Sequence, residues 1–286
     1  MLKLLYLKYK VGVSMKRILT VQDVSCVGKC SLTVALPIIS AMGIEAGILP
    51  TAVLSTHTAF SEFTFHDLTD EMDTIIDSWE RQNIEFDAIY TGYLGSKKQI
   101  DTVIDIFSRF GDGKLKLVDP AMADNGKLYA GFPSDFPLTM ARLCAKADVI
   151  IPNLTEACFI LGREYIGSNY NEDTIKDMLI SLTSLGCKKA VITGVSFDGG
   201  SLGCYGYDSD SGEYFSYFNR EINKHYHGTG DVFASVCFSS LVLGKSLYEA
   251  CQNAADFVCK AILATMDDDR PITYGVHFEK VLRELR

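Results

Sequence analysis

Short β-branched apolar runs alternate along this chain with stretches of helical length. The runs at 17–23 (RILTVQD), 46–54 (AGILPTAVL), 87–91 (DAIYT), 115–119 (LKLVD), 148–152 (DVIIP) and 188–194 (KKAVITG) predict strands. They are apolar through most of their length rather than at every second position, the pattern of strands covered on both faces. Helices are predicted between them near 30–42, 70–83, 97–110, 135–146, 155–162 and 172–186. This alternation predicts an α/β fold built on a mainly parallel sheet with helices on both faces. After 194 the pattern changes: 200–207 and 213–218 predict two antiparallel strands around the polar turn Asp208 to Gly212. Helices near 230–243 and 246–266 and an amphipathic segment at 276–285 complete the chain.

The 286 residues leave one or two domains open on length alone, but no repeat, linker or composition break divides them. A single domain over 15–286 is expected. Residues 1–14 carry lysines at 3, 8 and 10 that interrupt their apolar positions, and Met15 opens directly onto the first strand. They are read as an extension without a functional role, with translation starting at Met15. At 48% apolar and 22% charged residues the chain can bury a sizeable core. A net charge of −9 without basic clusters argues against nucleic acid as a partner. No apolar stretch approaches the ~18 residues needed to cross a bilayer, so no membrane partner is expected. The nine cysteines are odd in number and lie mostly in apolar runs, which suits reduced thiols in the cytoplasm.

Ligands of open parallel sheets bind beyond the carboxyl ends of the strands. Three polar segments stand at such places. HGTGDVFAS (227–235) sets two glycines and a threonine before an apolar helix, with Asp231 in its first turn. Backbone N–H groups and the helix dipole then converge on one point, an anion hole beside a carboxylate able to take a proton from an alcohol. A capped helix start after a glycine turn is the plainer reading. Asp119-Pro120 ends one strand, and Asn153 with Glu156 in PNLTE follows another. Hard oxygen donors on one sheet edge suit Mg²⁺ bridging to nucleotide phosphates, although each residue alone could simply end a strand or cap a helix.

GTGD, NLTE and the Asp-Pro strand end together resemble the ribokinase superfamily. Within it VQDVSCVGKCS (21–31), LSTHT (54–58), TGYLGS (91–96) and VDPAMADNGKLY (118–129) are similar to the pyridoxal/pyridoxamine kinases, over roughly residues 16–265. The resemblance implies ATP-dependent phosphorylation of the 5′-hydroxymethyl group of a vitamin B6 vitamer by a cytoplasmic homodimer. ATP and Mg²⁺ are the implied cofactors, with a monovalent cation such as K⁺ a further candidate. The implied base is Asp231 and the anion-hole glycines are Gly228 and Gly230. Asp119 and Glu156 stand by the metal, and Thr193, Thr229 and Asn153 by the nucleotide. His57, Thr58 and Tyr93 match the vitamer side. One departure concerns the ring contact: the family's Gln-Ser is Gln22-Asp23 here, with Ser25 two residues on, so either Asp23 or Ser25 meets the ring. A second is Ala123, where a glycine is common. Alternatives are a hydroxymethylpyrimidine or other small-alcohol kinase, and a non-catalytic vitamer- or nucleotide-binding protein.

MADNGKLY (122–129) follows the Asp119 strand end and can reach over whatever binds there. In the resembled kinases this stretch is a lid, with Asp124 and Asn125 near the substrate and Gly126 giving backbone freedom; an ordinary surface turn is the other reading. His225 and His227 have i, i+2 spacing without further ligands and are read as loop residues. Trp79 is read as core or interface. Phe60, Phe63 and Phe65 are read as core or interface, with a part in the vitamer pocket as the second reading.

Overall fold

The computed structural model describes residues 15–224, 226–269 and 272–285. The N-terminal extension and His225 therefore lie outside the described residues. Eleven strands and eight α-helices are found among those described. In chain order they begin β1 (Arg17–Val27), α1 (Leu32–Ala41), β2 (Glu45–Thr56), β3 (Phe65–Asp67), α2 (Thr69–Arg81), β4 (Ala88–Thr91), α3 (Lys97–Phe110) and β5 (Leu115–Val118). There follow β6 (Ala123–Asp124), β7 (Lys127–Leu128), α4 (Phe136–Cys144), β8 (Val149–Ile150), α5 (Leu154–Ile160) and α6 (Glu172–Thr183). The last are β9 (Lys189–Val195), β10 (Ser201–Asp208), β11 (Glu213–Arg220), α7 (Thr229–Val242) and α8 (Leu247–Leu263).

Nine strands form one sheet in the order β11-β10-β9-β8-β5-β4-β1-β2-β3. The six predicted strands are its parallel centre, and β10 and β11 add the expected antiparallel hairpin with Asp208 opposite Glu213. Side chains of the central strands alternate between two cores. Leu19, Ile89 and Val118 join the core covered by α2 to α6, whereas Ile18, Tyr90 and Leu117 join the one covered by α1, α7 and α8. Burial on both faces is why these strands read as unbroken apolar runs.

One element was not expected. FSEFTF supplies an edge strand, β3, antiparallel to β2, because the chain turns back at 57–64 and lets Phe65 pair with Leu54. Phe63 and Phe65 are exposed there rather than buried. The amphipathic segment at 276–285 takes the form of two short 3₁₀ turns, Phe278–Lys280 and Leu282–Leu285. Trp79 packs edge-on against Phe86 at the margin of the core, as expected. No helix among the described residues is long and apolar enough to cross a membrane.

The chain runs from β1 outward to β2, then crosses to the other side of β1 to form β4. A crevice opens at such a reversal beyond the carboxyl ends. Asp23 and Ser25 stand at that end of β1, and Thr91 to Tyr93 at that of β4. Register shifts locally after Gln22, where β1 advances two residues while β2 advances three. Gln22 Oε1, Tyr90 Oη, Thr91 Oγ1 and Ser235 Oγ are buried with no well-aligned hydrogen bond among the described residues, although Tyr90 lies beside Ser235 and Gln22. They form a polar floor of the kind that ordered water satisfies.

Candidate active site

The glycine turn and the head of α7 form one wall. Gly228 is the N-cap of α7 with φ +79°, a left-handed conformation that favours glycine. A Cβ at this position would lie 1.9 Å from the Lys29 carbonyl oxygen. At Gly230, by contrast, a Cβ would meet no atom within 4 Å, so the turn is open toward the crevice. Asp231 follows in the first helical turn and is half-buried. Burial pushes its carboxyl up to about 7, against the pull of the Ser31 backbone N–H, and the Asp23 charge adds to the rise. A carboxylate balanced near neutrality beside a helix N-terminus has the properties of a general base.

Across the crevice the PNLTE segment caps α5. Asn153 Oδ1 accepts from the Glu156 amide at 3.0 Å, and Glu156 Oε2 accepts from the Asn153 amide at 2.9 Å. This reciprocal capping box also holds the 122–123 backbone. Glu156 Oε1 accepts from the amides of Met122 (3.1 Å) and Ala123 (3.4 Å), and Asn153 Nδ2 donates to the Ala123 carbonyl at 2.8 Å. Thr193 lies beside Asn153, its amide bonded to the Pro152 carbonyl at 3.0 Å. Thr229 Oγ1 donates to the Tyr226 carbonyl at 3.3 Å, at the start of α7.

Asp119 has a different character. Its carboxylate is buried and has no hydrogen bond among the described residues. Burial first, then the charges of Glu156 and Asp231, hold its carboxyl well above the usual range. Glu156 is pushed up to about 8 by burial, opposed by the three amides it accepts from. Among the described residues no group of three or more His, Cys, Asp or Glu side chains gathers to hold a metal ion. Mg²⁺ needs only one or two carboxylates when phosphate oxygens and water complete its shell. Asp119, an unbonded buried carboxylate in a negative neighbourhood, fits that role. Glu156 already uses most of its acceptor capacity on backbone.

The lid residues form the β6–β7 hairpin. Asn125 and Gly126 are its two-residue loop, with φ +49° and +73°. Positive φ at both positions is the primed turn that suits hairpin twist, which explains the Asn-Gly pair. Gly126 therefore serves a fixed turn rather than free backbone, and its amide is bonded to Thr155 Oγ1. Asp124 accepts from the amide of Asn125 at 2.8 Å and is exposed at the tip.

On the β1–β4 side, Ser25 is fully buried and donates its hydroxyl to Asp23 Oδ2 at 3.1 Å. Burial raises the Asp23 carboxyl, while the hydroxyls of Ser31 and Ser25 draw it down. Tyr93 is half-buried, 5.5 Å from the Phe132 ring; burial pushes its hydroxyl up to about 12, and the charges of Asp23 and Asp67 add to the rise. Buried Gln99 braces the TGYLGS segment by accepting from the Gly95 amide at 2.7 Å and donating to the Thr51 carbonyl at 2.9 Å. His57 is buried with both ring nitrogens engaged: Nε2 donates to the Thr273 carbonyl at 2.6 Å and Nδ1 accepts from the Ala59 amide at 3.3 Å. It thus presents its ring rather than a free nitrogen, edge-on to Phe60 and 5.4 Å from His227. Thr58 is exposed beside it.

Three further features had little or no sequence signal. Tyr129 follows the hairpin with its side chain partly exposed; desolvation of its hydroxyl, then the charges of Glu156, Asp124, Asp119 and Asp231, shift that hydroxyl upward. Ser31 sits at the head of α1 with φ +52° and lies between Asp23 and Asp231. The 273–279 segment is bonded to His57 through the Thr273 carbonyl and to Lys29 through His277 and Glu279.

A sheet wound in this way, with a glycine turn opening α7 and a capped NLTE turn opening α5, defines a ribokinase-like small-molecule kinase. The chain belongs to the phosphomethylpyrimidine kinase family, whose match spans residues 36–272. It is 40% identical to a putative phosphomethylpyrimidine kinase from Bacteroides thetaiotaomicron VPI-5482, solved in an orthorhombic form with pyridoxal; the likeness covers 95% of this chain and 96% of that one, with a TM-score of 0.91. The pyridoxal kinase from Lactobacillus plantarum is 31% identical over 95% of this chain and 97% of its own, with a TM-score of 0.86. Pyridoxal kinase PdxY of Histophilus somni (strain 2336) is 26% identical over 85% of this chain and 87% of its own. The expected kinship with the vitamin B6 kinases is met.

Proposed function

We propose that this kinase transfers the γ-phosphoryl group of ATP to the 5′-hydroxymethyl group of pyridoxal, pyridoxamine or pyridoxine. One observation carries the reading. Asp231 stands in the first turn of α7 beside the open glycine turn, and Ser31 links it to Asp23 at the end of β1, its backbone N–H bonded to Asp231 and its hydroxyl to Asp23. A small alcohol lying between β1 and α7 would present its hydroxyl to Asp231. Asp231 takes the proton as the oxygen attacks, and the N–H groups around Gly228 to Gly230 hold the charge developing on the phosphoryl oxygens.

Thr193, Asn153 and Thr229 lie where the nucleotide would rest. Asp119 would hold Mg²⁺, with Glu156 keeping the neighbouring backbone in place; the ion supplies charge neutralisation between the phosphates. Asp23 and Tyr93 face the vitamer ring, with His57 and Thr58 closing its edge. Ser25 is read as a support for Asp23, since it is buried behind it. The β6–β7 hairpin acts as the lid with Asp124, Asn125 and Gly126 at its tip, excluding water that would otherwise accept the phosphoryl group.

The similarity to the pyridoxal-containing Bacteroides structure supports the choice of vitamer. ATP consumption measured with the three vitamers, hydroxymethylpyrimidine and ribose tests it. Turnover confined to the pyrimidine would replace the reading by the pyrimidine kinase alternative, and no turnover on any alcohol would favour a binding protein. Activity in Mg²⁺ against EDTA, and in K⁺ against Na⁺, tests the two cations. All nine cysteines are unpaired, which supports a reducing cytoplasmic setting. Exposed apolar side chains at the β2–β3 edge, among them Val53, Phe63 and Phe65, support a homodimer. A monomeric mass by light scattering would remove that part.

A further inference from the structure

The Gly28–Cys30 loop joins two regions that are far apart in the sequence. On one side it supports the glycine turn, because the Lys29 carbonyl occupies the space that a Cβ on Gly228 would need. On the other, the Lys29 side chain enters the C-terminal segment. Its Nζ donates to His277 Nδ1 at 2.9 Å and to Glu279 Oε2 at 2.7 Å, and lies 5.5 Å from the centre of the Phe278 ring. Gly275, with φ +81°, brings backbone close enough that a Cβ there would stand 2.9 Å from Lys29 Cβ and 3.0 Å from the His227 carbonyl oxygen.

The segment is itself fastened. His277 is 5% exposed; its amide donates to Thr265 Oγ1 at 2.7 Å and its Nε2 donates to Asp268 at 2.8 Å. His57 Nε2 holds the Thr273 carbonyl. An exposed Lys–Glu pair contributes little to stability, but only 16% of the Lys29 side chain is exposed and its ammonium also meets an imidazole nitrogen. Such an arrangement fixes position more than it adds net stability.

We propose that Lys29 is a positioning residue for phosphoryl transfer: His277 and Glu279 anchor its ammonium, and its backbone carbonyl sets the Gly228–Gly230 turn so that the turn's amides aim at the phosphoryl group. This rests on the reading of that turn as the anion hole. Amides aimed at developing charge act in the transition state more than in the ground state, so a displaced turn lowers kcat and leaves KM nearly unchanged.

The test uses the full chain carrying Lys29→Met, His277→Gln or Lys29→Arg. Lys29→Met and His277→Gln are expected to lower kcat on pyridoxal about tenfold or more, short of the ~10²–10³ lost with a whole oxyanion donor, while KM for ATP changes less than about threefold. Hydrogen exchange of the amides at 228–232 should quicken in both variants, and Lys29→Arg should restore much of both signals. Wild-type kcat in Lys29→Met overturns the proposal. So does unchanged exchange at 228–232, a readout that needs no turnover and decides the matter even if the wild-type chain phosphorylates no vitamer. A joint fall of kcat and melting temperature that Lys29→Arg does not repair would make Lys29 structural only, and also overturns it.

Discussion

The backbone amide of Gly126 donates to Thr155 Oγ1 at 3.0 Å, tying the hairpin tip to the helix that carries Glu156. A Cβ on Gly126 would also come within 2.5 Å of the Tyr165 ring, at a φ of +73°. Gly126→Ala is therefore expected to cost about 1–3 kcal/mol, from backbone strain and the displaced ring, and to lower turnover with it. Urea unfolding measures this. An unchanged midpoint would mean that the hairpin carries no constraint.

The same bonds determine how the lid can work. With its base held by Glu156 and its tip by Thr155, the hairpin is fastened to the start of α5 and is not a loose loop. Amide exchange over 122–129 should slow when a non-hydrolysable ATP analogue and pyridoxal are both bound, and less with either alone. Equal exchange with and without the ligands would remove the hairpin from the mechanism.

Asp231→Asn should lower kcat by about 10²–10⁴, the usual worth of a general base. Because burial raises the carboxyl to about 7, wild-type kcat should rise through neutral pH and level off above it. The stability effect has the opposite sign. The unfolded chain releases this proton near pH 4 and the folded chain only near 7, so folding is penalised increasingly between those values and the penalty is constant above. Asp231→Asn should thus melt higher than wild type at pH 8 and no higher at pH 4. Thermal unfolding at the two pH values checks it, and a lower melting point at pH 8 would contradict the burial of the charge.

Much of the fold was legible because both its signals are local. Unbroken apolar runs such as ILTV and AVIT mark strands covered on two faces, and GTGD and NLTE announce helix starts. β3 was not legible, since a three-residue edge strand buries nothing and leaves no periodicity. The site was legible where one segment contains its own geometry, as in the Asn153–Glu156 capping box. What the sequence could not place were contacts between distant segments. Nothing local in TYGVHFEK shows that His277 meets Lys29 or that Thr273 occupies His57. Asn125-Gly126 did suggest a turn, but whether it was loose or pinned depended on Thr155 and Tyr165.

Glu156 is expected to be structural as well as electrostatic. Its carboxylate accepts from the amides of Met122, Ala123 and Asn153, and a glutamine would turn an NH₂ group toward one of these donors. An unsatisfied buried donor costs about 1–3 kcal/mol. Glu156→Gln should accordingly lose stability and also shift the Mg²⁺ dependence of activity. If the Mg²⁺ titration moves with no change in unfolding free energy, the amide contacts are dispensable; if only stability changes, Glu156 acts solely on the lid.

The Asp23–Ser25 pair decides which residue meets the substrate ring. Ser25 is fully buried and spends its hydroxyl on Asp23, so Asp23 is the member left to face a ligand. A hydrogen bond to a charged group contributes about 1.5–3 kcal/mol, or roughly 10–10²-fold in binding. Asp23→Ser is therefore expected to raise KM for pyridoxal by about that factor while KM for ATP stays within about threefold. Ser25→Ala, which only removes a supporting donor, should have the smaller effect. Burial raises the Asp23 carboxyl above the ordinary aspartate value. Wild-type KM for the vitamer should then climb as the pH falls and Asp23 takes up a proton, and this climb should vanish in Asp23→Ser. Steady-state kinetics from pH 5 to 8 read both effects. A larger rise in KM from Ser25→Ala than from Asp23→Ser, or an acid climb that persists in Asp23→Ser, would move the ring contact to Ser25.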